Sequence, residues 1–216
     1  MGDSISTYAG YNPAGYSVFY DEHNAERNGM TSVYDTWWAK VNQFLHACIC
    51  VNNSFSGSKV SGGKFPSASS EQRTSSLHTA NHLPDLILIY IGFNDFGNGI
   101  RITADPSEDA PSFFESYYGM LKRIQKNYPN SRILCGTLME SFIKDNDNWS
   151  FPHKWGGISF CEYSAAIKIA AKLAGADVID LAALNMRYET LDGSHPTKNG
   201  HYTIAQAWIS CLQKLH

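Results

Sequence analysis

Three observations predict an α/β fold with a parallel sheet covered by helices on both faces. Apolar runs of strand length alternate along the chain with segments of helical period. In the run from Asp85 to Ile91 every residue after the opening aspartate is apolar or aromatic and most are branched, as a parallel strand buried on both faces requires. The chemically distinctive short motifs fall just after strand-like runs or in a late loop, where ligands of such sheets bind. A chain of 216 residues with 43% hydrophobic content can bury one sizeable core, so a single domain over 1–216 is expected.

The elements follow in order. Tyr34, Trp37, Trp38, Val41, Phe44 and Leu45 recur at helical spacing, which makes Trp37 and Trp38 core residues rather than a lid, and Cys48 to Val51 reads as a short buried strand. The Ser- and Gly-rich stretch from Ser54 to Ser76 reads as a loop with a short polar helix near 70–77. After the strand at 85–91, Pro111 opens a helix whose face carries Phe114, Tyr117, Tyr118, Leu121, Ile124 and Tyr128, stopped by Pro129. Ser131 to Gly136 supplies a strand, and a loop runs from about Met139 to Gly157. A helix through Tyr163, Ile167, Ala170 and Ala171 ends at Gly175, and Val178 to Leu181 is the next strand. Thr197 caps a last helix with Ile204, Ala205, Trp208, Ile209 and Leu212 on its apolar face. His201 shares that face and reads as packing; His23, His46, His78, His82, His153 and His216 are given no role.

Seventeen basic against 20 acidic residues give a formal charge of -3 without a basic stripe, so no nucleic-acid partner is expected. No stretch has the length and apolarity of a membrane span, and no signal-peptide pattern is visible, which makes a cytoplasmic protein the expectation. The five cysteines, Cys48, Cys50, Cys135, Cys161 and Cys211, read as buried reduced thiols rather than a disulfide framework. No pattern in the chain fixes an oligomeric state.

Four motifs carry the chemistry. Ser4, in Gly2-Asp3-Ser4, needs a base to become a nucleophile, and His195 in Asp192-Gly193-Ser194-His195-Pro196 is the candidate. Asp192, three residues earlier, is close enough to accept from Nδ1 and leave Nε2 facing Ser4. Acyl transfer also requires donors for a developing oxyanion; Asn94 in Gly92-Phe93-Asn94-Asp95 offers an amide, Gly57 an unobstructed N–H, and Ser4 its own N–H. Each motif alone also suits a turn or a cap, and Gly57 alone suits a positive φ. Asp3, Asn94, Asp95, Asp192 and His195 also have the ligand chemistry of a two-metal phosphoesterase, but the chain lacks the Asp-x-His pair and His-rich closing motif such a site would want. No metal or cofactor is expected, and Asp95 is assigned instead to tying down the Asn94 loop.

On these four blocks the chain resembles the GDSL, or SGNH, hydrolase family, named for residues matched by Ser4, Gly57, Asn94 and His195. The resemblance implies a flavodoxin-like three-layer α/β/α fold and esterase or lipase-type hydrolysis. It implies Ser4, Asp192 and His195 as triad and Ser4, Gly57 and Asn94 as oxyanion hole; Asp3 and Asp95, beside Ser4 and Asn94 in sequence, are read as supporting residues. Family members place a hydrophobic strand directly before the Gly-Asp-Ser block, whereas here only Met1 precedes Gly2. The first strand is read as truncated, with neighbouring apolar faces exposed and the Ser4 turn loosened in consequence.

The expected partner is a small-molecule ester. Trp149, Phe151, Trp155 and Phe160 lie in a polar loop rather than on a periodic face, and the tryptophans are candidates for a pocket in which a sugar ring stacks. An acetylated carbohydrate is therefore the preferred substrate. Lysophospholipase or thioesterase action on longer acyl chains is the alternative, and a non-catalytic carbohydrate-binding module on the same fold is the alternative of another class.

Overall fold

The computed structural model describes residues 1–105 and 111–215; His216 lies outside them. Strands β1 (Leu86–Ile89), β2 (Arg132–Gly136) and β6 (Asp177–Ile179) form a parallel sheet in the order β1-β2-β6. Between them in sequence lie β3 (Glu140–Ile143) and the hairpin strands β4 (Lys154–Trp155) and β5 (Ile158–Ser159); β7 (Arg187–Thr190) follows β6. The helices are α1 (Ala25–Asn28), α2 (Trp37–Phe44), α3 (Glu71–Ser75), α4 (Phe93–Gly97), α5 (Phe113–Asn127), α6 (Phe160–Ala174) and α7 (Lys198–Leu212). Helices α3, α5 and α6 pack together as one layer and α2 with α7 as the other, giving the three-layer α/β/α arrangement.

Local sequence explains these elements. Ser112 accepts from the Glu115 N–H while Glu115 reaches back to the Ser112 N–H, a capping box that starts α5. Gly175 closes α6 in the left-handed region at φ 74°, and Thr197 caps α7 by accepting from the Gly200 N–H at 3.2 Å. One continuous apolar core joins the layers, with Ile89, Tyr117, Met120, Leu121, Ile167, Ile204 and Trp208 buried.

Three expectations are corrected. The loop placed at 139–157 contains β3, which pairs in parallel with the unanticipated β7, and β4, whose antiparallel partner β5 follows at once. Cys48 to Val51 is not a strand; Cys48 and Ile49 are exposed, and of the five free thiols only Cys135 is buried. The physical reason is a groove of about 650 Å³ along the open side of β1, lined by this segment, Trp38, Leu77, Leu83, Leu86 and Leu88, which leaves the 48–51 backbone with no strand to pair against.

The third correction concerns the Ser4 turn. Apolar side chains do border the groove, but the turn is tethered. The Met1 ammonium donates to the Leu88 carbonyl at 2.7 Å, the Tyr90 N–H to the Met1 carbonyl at 3.1 Å, and the Phe55 N–H to the Gly2 carbonyl at 3.2 Å. Gly2 thereby bridges Ser54 and Tyr90 in parallel register, as a rudimentary strand beside β1. Burial pushes the Met1 ammonium down to about 5, reinforced by the charge of Arg73. Among the described residues no helix is long and apolar enough to cross a membrane.

Candidate active site

Ser4 opens a single 3-10 turn, Ser4–Ser6, immediately after the bridge at Gly2. A Cβ on Gly2 would lie 2.7 Å from the Ser6 hydroxyl and 3.0 Å from the Tyr90 carbonyl, so only glycine permits so close an approach. Asp3 caps the turn by accepting from the Ile5 N–H at 3.0 Å. Ser6 is clamped by two indoles: Trp37 Nε1 donates to its hydroxyl at 3.0 Å and Trp38 Nε1 to its carbonyl at 2.9 Å. Asn52 Nδ2 adds a bond to the same carbonyl at 2.8 Å.

The late motif meets this turn across 191 residues of sequence. His195 Nε2 lies 2.9 Å from Ser4 Oγ, and His195 Nδ1 lies 2.7 Å from Asp192 Oδ2. Asp192 Oδ1 also accepts from the His195 and Ser194 N–H groups at 2.8 and 3.0 Å. Burial raises the carboxyl, but the His195 ring, these amides and the nearby imidazole charge outweigh it and hold Asp192 well below the ordinary carboxylate range. The arrangement is a hydroxyl facing an imidazole whose far nitrogen is fixed by an ionised carboxylate. It can move a proton off the serine as the oxygen attacks.

The other two motifs are joined to each other. Asn94 Nδ2 donates to the Ser58 carbonyl at 3.0 Å, which uses one of its two hydrogens. The buried Asp95 carboxylate accepts from the Val60 and Ser61 N–H groups at 2.8 and 3.0 Å, pinning the same loop to α4. Burial raises the Asp95 carboxyl despite these bonds. Gly57, at φ +77° and exposed, crowns the loop. Its backbone lies in the left-handed region that favours glycine. Neither the Ser4 nor the Gly57 N–H donates to a protein acceptor among the described residues, so both remain free for a ligand oxygen.

Sequence reasoning missed the residue that ties the first two motifs together. Arg73 of α3 is fully buried, and all five of its N–H groups are used. They reach Asn53 Oδ1 (3.0 Å), Ser58 Oγ (2.8 Å) and the carbonyls of Pro66 (2.9 Å), Gly2 (2.8 Å) and Asn53 (2.6 Å). Burial lowers the guanidinium to about 10, opposed by Tyr16 and Asp3. Its acceptors are scattered over more than sixty residues, so no local pattern marks it.

Asp3 has a second oxygen, Oδ2, buried without a partner, and desolvation raises its carboxyl to about 6. The two candidate pocket tryptophans differ. Trp149 lays its ring against Gly193, between Asp192 and Ser194, whereas Trp155 is 52% exposed on the β4–β5 hairpin near Gly99. His201 is buried, accepts from the Trp37 N–H at 3.3 Å, and is driven down to about 3 by desolvation. Among the described residues no three His, Cys, Asp or Glu side chains are grouped to hold a metal ion.

A parallel α/β/α sheet that brings Ser4, His195 and Asp192 into one hydrogen-bonded line is an arrangement suited to a hydrolase, and sequence comparison supplies the family. The profile of the GDSL-like lipase/acylhydrolase family matches residues 1–153. The chain belongs to that family, which places it among the carboxylic ester hydrolases. It is 25% identical over 214 residues to a multidomain esterase of Ruminococcus flavefaciens; the match takes in 95% of this chain but only 22% of that protein.

Among solved structures, it is similar to candidate GDSL-like lipases from Bacteroides ovatus (TM-score 0.73, 23% identity, 99% of this chain and 95% of that one) and Bacteroides uniformis (TM-score 0.69, 25% identity, 99% and 93%). A family two carbohydrate esterase from Clostridium thermocellum shares the fold at TM-score 0.57 and 17% identity, over 99% of this chain and 62% of that one.

Proposed function

We propose that the chain is a serine esterase that removes short acyl groups, chiefly acetyl, from a carbohydrate, through a Ser4-His195-Asp192 triad and an acyl-enzyme. The observation that carries this reading is the unbroken path from Ser4 Oγ through both imidazole nitrogens to Asp192, with contacts of 2.9 and 2.7 Å. His195 takes the Ser4 proton as the oxygen attacks the ester carbonyl, and the oxyanion is held by the N–H groups of Ser4 and Gly57 and the free Asn94 amide hydrogen. His195 then returns the proton to the departing alcohol. Water, deprotonated by the same imidazole, releases the acid.

The substrate class rests on separate support. Two cavities among the described residues, of about 650 and 330 Å³, are lined by none of Ser4, Gly57, Asn94, Asp192 or His195. A long acyl chain therefore finds no deep slot among them beside Ser4, whereas a bulky alcohol on a small acyl group suits an open site. The fold shared with a carbohydrate esterase favours a sugar as that alcohol.

The test is treatment with a phosphonate ester and peptide mass analysis, followed by rates on acetylated oligosaccharides and on esters of increasing acyl length. Labelling of Ser4, loss of activity in Ser4→Ala and a preference for acetyl are expected. An unlabelled Ser4 would leave a carbohydrate-binding module, and a preference for long chains would leave a lysophospholipase or thioesterase.

A further inference from the structure

The aromatic-rich segment from Tyr16 to Tyr20 follows no helical or strand period, yet it reaches the centre of the site. The Phe19 ring lies flat on the His195 imidazole, with centroids 3.6 Å apart and planes 5° from parallel. The segment carrying it is tied to each motif it spans. The Phe19 N–H donates to Thr7 Oγ1 at 2.9 Å, and that hydroxyl donates to the Ser4 carbonyl at 3.0 Å. The Tyr20 hydroxyl donates to the Pro196 carbonyl at 2.8 Å, next to His195, and the Ser56 N–H donates to the Ser17 carbonyl at 2.9 Å, next to Gly57. Asn24 Nδ2 closes the segment onto the Phe19 carbonyl, and the Tyr20 ring braces Phe19 edge-on at 4.9 Å. So much anchoring of one unperiodic stretch implies that the position of its ring matters.

We propose that Phe19 is a positioning residue for His195: its face fixes the plane of the imidazole and stabilises the imidazolium that exists only while the Ser4 proton is in transit. The inference rests on the triad reading above and adds a residue outside the four motifs. Nε2 is held by Ser4, and Nδ1 by Asp192 with the Ser194 hydroxyl 3.1 Å away, contacts made at the ring's edge that leave its faces to resist tilting by packing alone. A parallel ring at van der Waals distance blocks it on one face. The same contact sets the negative π face of phenylalanine against a ring that becomes cationic, an attraction absent from the neutral imidazole. Stabilisation confined to the charged intermediate raises turnover rather than substrate affinity.

The groups that share this environment are Asp192 on Nδ1, the Ser4 and Ser194 hydroxyls on either side, Tyr20 behind Phe19, and Asp3 and His201, whose charges couple to His195. Asp3 ionises near 6 and so falls in the same range as an imidazole. Exchanging Phe19 for an aliphatic side chain leaves the Asp3 surroundings in place. A pH limb set by Asp3 would therefore stay put.

The experiment compares wild type, Phe19→Leu, Phe19→Tyr and replacement of Phe19 by pentafluorophenylalanine, whose ring has the same outline but an electron-poor face. Leu and the fluorinated ring are expected to lower kcat about tenfold with KM changed by less than about twofold, and to move the acid limb of the kcat/KM profile about half a unit toward lower pH. Tyr is expected to keep both near wild type. A structural role alone would lower activity without moving the limb, and would be rescued by the fluorinated ring. That result, or Leu matching wild type, overturns the proposal; if Leu fails to fold, the fluorinated ring decides. Ser4→Ala, assayed alongside, separates the two claims, because an active Ser4→Ala removes the triad reading itself, whereas an inactive one with normal Phe19 variants removes only this inference.

Discussion

Replacing Arg73 by lysine keeps a positive charge in the interior but changes how many acceptors it can satisfy. The guanidinium meets five, at 2.6–3.0 Å: two carbonyls on Gly2 and Asn53, one on Pro66, the Asn53 amide oxygen and the Ser58 hydroxyl. An ammonium has three N–H groups, so at least two acceptors lose their donor. At about 1–3 kcal/mol for each buried group left unpaired, Arg73→Lys should cost about 2–6 kcal/mol. That is a large share of the roughly 5–15 kcal/mol that holds a typical domain folded.

The assay is urea unfolding followed by circular dichroism, with linear extrapolation to water. Turnover is then measured under conditions where the variant is fully folded. Because Gly2 leads into Ser4 and Ser58 into the Gly57 loop, kcat should also fall, by roughly ten- to a hundredfold, as the two halves of the site lose register. A stability change below about 0.5 kcal/mol with unchanged kcat would refute the view that this side chain organises the site.

Further outcomes follow from the same geometry. Asn94→Ala removes one oxyanion donor and should lower kcat by about a hundredfold to a thousandfold with little effect on KM; steady-state kinetics on an acetyl ester checks this. Asp3 gives a pH signature. Burial holds its carboxyl at about 6 when folded against an ordinary value of 3.8, so between those values the unfolded chain has released a proton that the folded chain retains. Stability from this group therefore falls as pH rises from about 4 to 6 and stays flat above, a loss of about 3 kcal/mol. The difference between the wild-type and Asp3→Asn stability curves should show that slope, and a difference independent of pH from 4 to 8 would contradict it.

The parts of the fold legible in the sequence were those set by local pattern. The apolar run at 86–89, the helix from Phe113 to Asn127 and the Thr197 cap depend on neighbours a few residues away. Ser4, Asn94, Asp192 and His195 stand out in the sequence because their chemistry demands particular residue types in short contexts; the structure joins Ser4, His195 and Asp192 by hydrogen bonds and ties Asn94 to the Ser58 carbonyl. What stayed hidden depends on distant partners. Strands β3 and β7 are four residues each and bury the polar Ser141 and Thr190, so neither displays an apolar alternation. The stretch at 48–51 displays an apolar run but faces an open groove. Arg73 and Phe19 act on groups tens to nearly two hundred residues away, and nothing beside them in sequence announces it.

The double clamp on Ser6 turns Trp37 and Trp38 into built-in optical probes. Both indoles spend their N–H on a residue two places from Ser4, and Trp37 also stacks on Trp208 at 5.1 Å. Any event that loosens the nucleophile's turn must first release these N–H groups toward water and shift their emission to longer wavelength. Ordinary fluorescence thus carries a label-free component from the turn beside Ser4, superimposed on the emission of Trp149, Trp155 and Trp208.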